Sequence, residues 1–239
     1  MIFGIRALAE AIKAGKEIDK VIVQNGLQGD LFSELRALLK EHNIIAQYVP
    51  QERLRKFTTK NHQGVIAFLS EIEYSKLDQV LPMVYEKGKT PLFLMLDRVT
   101  DVRNFGAICR TAECAGVDAI IIPSRGGAQI NSDAIKTSAG ALHKIPVCKE
   151  DNLKVAIYYL KESGVKLVAC TEKTNDFYTK IDYTEPVCIV MGSEEDGISS
   201  EYLKLCDAKA KLPLMGEIES LNVSVAAGIV LYEAVRQRG

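Results

Sequence analysis

The sequence predicts a two-part α/β chain, with a small α/β unit over residues 1–70 and, from residue 91, a mostly parallel sheet carrying helices on both faces. Three observations carry this prediction. From Pro91 onward, short apolar runs alternate with helix-length segments, and strands so uniformly apolar belong in a parallel sheet buried on both sides. Residues 1–70 repeat that alternation on a smaller scale. Between the two parts, residues 71–90 are charged, contain Pro82 and end in Glu86-Lys-Gly-Lys89, a composition that reads as a linker partly coiled into helix. A length of 239 residues with 47% hydrophobic content supports two unequal domains with ordinary packed cores.

In the front part, Ile5, Leu8, Ala9 and Ile12 recur at helical spacing over residues 4–16, and Val21-Ile-Val23 reads as a short strand before a turn at Gly26 to Gly29. Leu31, Leu35, Leu38 and Leu39 predict a second helix. Ile44–Val49 and Gly64–Leu69 then read as strands. In the larger part, the predicted strands are Leu92–Leu96, Ala119–Ile122, Ile145–Cys148, Leu167–Cys170, Val187–Met191 and Ala210–Leu214. Helices are predicted at 104–115, 132–142, 153–163, 200–206 and 222–237. Ligands of such sheets gather at the carboxyl ends of the strands, so the polar stretches Asp97–Asn104, Thr171–Asn175, Gly192–Gly197 and Met215–Asn222 should build the site.

Composition excludes several classes. No apolar run approaches a membrane span, and Met1-Ile-Phe-Gly-Ile-Arg6 lacks the layout of a signal peptide, so a cytoplasmic protein is expected. The six cysteines form no C-x-x-C pair and read as reduced core residues; the three histidines have no ligand spacing, and no metal is expected. No two glycines sit two apart, which removes the G-x-G-x-x-G fingerprint of nicotinamide and flavin enzymes; the lysine-bearing phosphate loop is also missing. The net charge is −1, yet residues 1–70 hold 10 Lys and Arg against 7 Asp and Glu, while the remainder hold 20 against 24. Within that basic front, Arg53, Arg55, Lys56 and Lys60 offer either several phosphate contacts or a solvated helix face.

The polar residues with chemical potential fall in three places. Asn104, Gly106 and Arg110 follow the first strand of the larger part; Asn104 can cap the helix, and Arg110 is either a surface charge or a fork for phosphate or carboxylate. Ile189-Val-Met-Gly-Ser-Glu-Glu-Asp-Gly197 runs a strand into an acidic turn in which Gly192 lets a ligand approach the backbone. Ser220, Asn222 and Ser224 crowd the mouth of the last helix. Capping with tight packing explains part of that cluster, but capping needs one such side chain, not three.

Taken in order, Asn104-x-Gly106-x-x-x-Arg110-Thr111, Gly192-x-Glu194-x-x-Gly197 and Ser220-Leu-Asn222-Val-Ser-Val-Ala226 resemble the three motifs of the SpoU (TrmH-like) RNA 2′-O-ribose methyltransferases. The front part resembles that family's substrate-binding domain, with Gly4–Ile12 at its start and His62–Ala67 at its end. Arg6 departs from relatives that often carry histidine there. The resemblance implies S-adenosylmethionine (AdoMet) as cofactor, RNA as substrate, a homodimer with sites near the subunit interface, and a deep C-terminal trefoil knot in place of an ordinary doubly wound topology. It implies Thr171, Gly192, Leu212 and Leu221 around the adenosyl group. Asn104, Arg110, Glu194, Ser220 and Asn222 are the implied catalytic set, and Arg53, Arg55, Lys56 and Lys60 the expected RNA contacts. The two-part layout is most similar to enzymes that methylate a guanosine ribose in the peptidyl-transferase region of large-subunit ribosomal RNA. A transfer RNA substrate, or a non-catalytic RNA-binding protein of the same fold, is the alternative.

Overall fold

The computed structural model describes residues 1–42, 44–128 and 130–239 and divides them into two compact units, Met1–Glu73 and Tyr74–Gly239. In the first unit, β1 (Ile2–Phe3), α1 (Ile5–Lys13), β2 (Ile18–Gln24), α2 (Asp30–Glu41), β3 (Ala46–Val49), α3 (Gln51–Arg55) and β4 (Val65–Leu69) form a four-stranded sheet of order β1-β4-β2-β3. Pairing is antiparallel on both sides of β4 and parallel between β2 and β3. Strand alternation sends Val21, Val23, Val65 and Ala67 to one face, where Leu8, Ile12, Phe32, Leu35 and Leu39 of α1 and α2 bury them. Ile22, Val49 and Ile66 face the other way, onto Leu54 of α3.

The second unit begins with α4 (Leu77–Glu86), inside the segment expected as a linker. Leu77, Val80, Leu81 and Val84, spaced i, i+3, i+4 and i+7, are buried in the core of this unit. Pro82 forfeits one helical hydrogen bond, but burial of the apolar stripe outweighs that loss. There follow β5 (Leu92–Leu96), α5 (Val102–Cys114), β6 (Ala119–Pro123), α6 (Ser132–Thr137), β7 (Val147–Glu150), α7 (Leu153–Glu162), β8 (Lys166–Cys170), β9 (Val187–Met191), α8 (Ser200–Leu205), β10 (Ala208–Ala210) and α9 (Val223–Arg238). The six strands run parallel in the order β10-β8-β9-β5-β6-β7. Phe93, Met95, Ile121, Leu167 and Val190 pack with α4 and α7 on one face; α5 and α9 contact each other and α9 contacts β9 on the opposite face.

Three boundaries differ from expectation for local reasons. The third strand of this sheet starts at Val147 rather than Ile145, because Pro146 has no N–H for the ladder and only its carbonyl is used, by Ile120 N. The helix expected over 132–142 stops at Thr137, where Ala139 and Gly140 take φ of 49° and 84°, and resumes as a single 3-10 turn at Ala141–His143. The last strand is Ala208–Ala210, not Ala210–Leu214, since its partner β8 ends at Cys170 and Pro213 cannot extend the ladder. The cysteines are less uniformly interior than expected. Cys109, Cys148 and Cys188 are buried, Cys170 and Cys206 half-buried, and Cys114 exposed. Burial pushes the Cys148 thiol up to about 12 and that of Cys170 to about 11.

Candidate active site

The sheet order itself locates the site. From β5 the chain moves through α5 toward β6, whereas from β9 it moves the opposite way, through α8 to β10, so the β5/β9 boundary is a topological switch point. Leu96 and Met191 are register partners at the carboxyl ends of these strands, so the loops starting at Asp97 and Gly192 leave the sheet side by side. Between them lies a cavity of about 320 Å³ lined by residues of 98–104 and 193–196, with Gly126 and Val223.

Glu194 is one of its lining residues. Its Oε1 accepts from Asn104 Nδ2 at 3.0 Å and from Asn222 Nδ2 at 2.9 Å, and Asn222 Nδ2 also donates to Asn104 Oδ1 at 3.0 Å. Three residues separated by 28 to 118 positions in sequence thus close a triangle. The orientation of each amide follows from the helix termini. Asn222 is the N-cap of α9, and its Oδ1 accepts from Ser224 N (2.9 Å), Val225 N (3.4 Å) and Ser224 Oγ (2.5 Å), which leaves Nδ2 to face Glu194. One carboxamide therefore ends the helix and builds the site.

Asn104 was expected as a cap, but Asp101 caps α5 instead, accepting from Asn104 N at 2.7 Å. That releases the Asn104 side chain for Glu194. The signal for Asp101 was its position three residues before Asn104, the usual reach of an N-cap side chain. Gly192 has a packing role besides the one expected. A Cβ there would stand 2.0 Å from the Gly197 carbonyl carbon, so the fold of the 192–197 turn onto itself by itself requires glycine. Gly106 is likewise a packing residue, its would-be Cβ 2.8 Å from Ala134 O and Thr137 Cβ of α6.

The remaining candidates lie outside the triangle. Arg110 is exposed, with no side-chain hydrogen bond or ion pair among the described residues; six residues along α5 turn it about 120° away from Asn104. Ser220 is exposed in the loop before α9, and Leu221 is partly exposed beside it. Thr171 and Leu212 are half-buried beyond β8 and β10, with Thr171 N donating to Ala210 O at 2.9 Å. Neither these two, nor Gly192 nor Leu221, line the cavity. In the first unit, Arg53, Arg55, Lys56 and Lys60 are exposed around buried Leu54, and Lys60 Nζ lies 5.6 Å from the centroid of the Phe3 ring. Sequence reasoning did not assign a role to Asp97, Arg98, Asp101, Ser193 or Asp196, which frame or support the cavity. Among the described residues no group of His, Cys, Asp and Glu is placed to hold a metal ion, and no helix is long and apolar enough to cross a membrane.

A carboxylate oriented by two carboxamides at the switch point of a parallel sheet lies where ligands of the α/β class of proteins gather. Residues 91–232 match the SpoU rRNA Methylase family, and residues 1–75 match the RNA 2′-O ribose methyltransferase substrate binding model; the chain belongs to the SpoU rRNA methylase family. It is an AdoMet-dependent RNA methyltransferase of the SpoU/TrmH type. YacO of Bacillus subtilis, assigned to the TrmH family of tRNA/rRNA methyltransferases, is 34% identical over 238 residues, covering 99% of this chain and 95% of its own. An AdoMet-bound rRNA methyltransferase from Sinorhizobium meliloti superposes with a TM-score of 0.63 at 26% identity, over 98% of this chain and 86% of that one. The A. aeolicus TrmH/SpoU tRNA modifying enzyme gives a TM-score of 0.57 at 33% identity, over 68% of this chain and 84% of its own.

Proposed function

We propose that the protein methylates the ribose 2′-hydroxyl of a guanosine in large-subunit ribosomal RNA, acting as a cytoplasmic homodimer. The observation that carries the chemistry is the Asn104–Glu194–Asn222 triangle, which joins all three family motifs at one point. The ribosomal substrate is supported by the extent of the likenesses: the rRNA methyltransferase matches 98% of this chain and the tRNA modifying enzyme 68%. The exposed basic side chains Arg53, Arg55, Lys56 and Lys60 are the proposed RNA contacts. The dimer is supported by apolar groups left on one side of α9 and the loop before it. Val225 and Tyr232 are each 51% exposed, and Met215 and Ile218 still more so.

AdoMet fits the ends of β8, β9 and β10, where Thr171, Gly192 and Leu212 follow three adjacent strands and Leu221 offers further apolar surface. When bound there, it supplies an electropositive methyl group on a sulfonium. A trefoil knot formed by the last strands and α9 is part of this proposal. The ribose oxygen would have to reach that methyl in line, opposite the sulfur, and lose its proton as its bond to the methyl forms and the methyl–sulfur bond breaks, the sulfur keeping the electron pair. Guanidinium stays protonated and cannot be the base, so Arg110 holds an RNA phosphate and polarises the hydroxyl, and the phosphate oxygen takes the proton. Glu194, Asn104 and Asn222 hold the three motifs in register beside the reacting groups, and Ser220 offers a hydroxyl from the loop before α9.

The test is transfer of tritium from labelled AdoMet to ribosomal and transfer RNA purified from cells lacking the protein, followed by mapping of ribose methylation. Arg110→Ala should lower the single-turnover rate by about 10²–10³ while sparing AdoMet binding. Arg110→Lys should recover little, because a lysine lacks the planar fork. Labelling of transfer RNA alone would overturn the ribosomal reading, and Arg110→Ala within about tenfold of the parent would make that arginine a surface charge.

A further inference from the structure

The loop after β5 has features that this mechanism does not use. Arg98 has a φ of 58°, in the left-handed region that side-chain-bearing residues rarely adopt. Its neighbour Asp97 is 2% exposed. Both side chains are spent on the loop after β9. Asp97 Oδ2 accepts from Ser199 N at 2.7 Å, and Asp97 Oδ1 accepts from Arg98 Nε at 3.2 Å. Arg98 Nη1 donates to Asp196 Oδ2 at 3.1 Å and Nη2 to Gly197 O at 3.2 Å.

The gripped segment is a closed turn. Ser193 N donates to Gly197 O at 3.2 Å, Gly197 N to Ser193 O at 3.0 Å, and Asp196 N to Ser193 Oγ at 3.1 Å. Glu194 rides on that turn and reaches Asn104 and Asn222 from it. An arginine that were only a solvated surface charge would not direct its N–H groups to three acceptors in two loops. A backbone conformation this unfavourable persists only where its surroundings hold it.

We propose that Arg98 is a positioning residue for methyl transfer: anchored on Asp97, its guanidinium clamps the Ser193–Gly197 turn so that Glu194 stays in register with Asn104 and Asn222. The planar fork is essential, since it serves a carboxylate on its own strand end, a second carboxylate and a main-chain carbonyl together. The role rests on the methyltransferase reading, but the clamp itself is testable without it.

Arg98→Gly removes the clamp and suits the left-handed backbone, so the full-length variant is expected to fold, with a melting temperature lowered by the loss of buried Asp97's ion partner. Amide hydrogen exchange at Ser193, Gly197 and Ser199 should then be about tenfold faster or more, with α5 unaffected. Single-turnover methylation of saturating RNA from cells lacking the protein should fall by about 10- to 100-fold, with RNA affinity retained, as expected for lost positioning. Arg98→Lys should recover little, and in a Glu194→Gln background Arg98→Gly should cost little more, because the clamp acts through Glu194. Unchanged exchange at the three amides would overturn the clamp. Faster exchange with a parental transfer rate would remove its role in positioning. Loss of RNA affinity and of its salt dependence, with the rate at saturation intact, would make Arg98 a phosphate ligand instead. If the parent methylated neither ribosomal nor transfer RNA, the methyltransferase reading would fail, and the exchange data would still decide the clamp.

Discussion

Asn222→Asp separates the two duties of one side chain. Aspartate is as good an N-cap as asparagine, so the bonds from Ser224 N and Val225 N survive, and a negative charge at a helix N-terminus contributes about 0.3–1 kcal/mol of its own. The side facing Glu194 is reversed. A donor at 2.9 Å becomes a second carboxylate, and two unit charges at that distance repel by about 1.4 kcal/mol in water's dielectric, the appropriate value for two exposed groups. The lost hydrogen bond to a charged acceptor adds about 1.5–3 kcal/mol. Together these disfavour the native rotamers by about 3–4 kcal/mol, and the exposed side chains relieve most of it by swinging apart. Global stability should therefore change by less than about 1 kcal/mol, while loss of the triangle should slow methyl transfer by about 10²–10³, the factor to which about 3–4 kcal/mol converts. Thermal denaturation and single-turnover transfer from tritiated AdoMet measure the two effects on one preparation. A variant that melts like the parent and transfers methyl within about tenfold of it would refute the assignment of the triangle to catalysis.

Two further outcomes follow from the packing. A fragment 74–239 should bind AdoMet in calorimetry with the affinity of the full chain, whereas a fragment 91–239 should aggregate or bind weakly, because it lacks buried Leu77, Val80, Leu81 and Val84, worth up to about 6–12 kcal/mol. Failure of 74–239 to bind would place part of the cofactor pocket in residues 1–73. On α9, hydrogen bonds from Arg236 and then Gln237 hold the Glu233 carboxyl down at about 2, below its ordinary 4.5. The stabilisation is thus complete above pH 4.5 and lost as pH falls from 4.5 through about 2. Glu233→Gln should flatten the melting temperature across that window, and a profile parallel to the parent's would show the pair to be uncoupled from folding.

Much of this architecture was legible from local chemistry. Leu92–Leu96 and Val187–Met191 were delimited to the residue because each is five apolar residues between a proline and Asp97 or Gly192, and such runs are buried wherever the chain folds. The three motifs were legible too, since helix mouths and strand ends leave the chain's polar side chains in a few short stretches. Residues 71–90 read as a linker partly coiled into helix, and that helix is α4, whose Leu77, Val80, Leu81 and Val84 are buried in the core of the second unit by packing that the local charge pattern does not show. Other features have no local signature at all. Nothing in Asp97-Arg98 announces that they grip a turn a hundred residues away, and nothing near Asn104 tells that its free amide will meet Glu194, 90 positions on. The glycine at 192 marks a special backbone position, but only the fold reveals that the atom it makes room for is the carbonyl carbon of Gly197. The distinction is one of range: burial and capping are settled within a few residues, whereas the meeting of Asn104, Glu194 and Asn222 depends on the register of β5 against β9, which long-range packing alone decides.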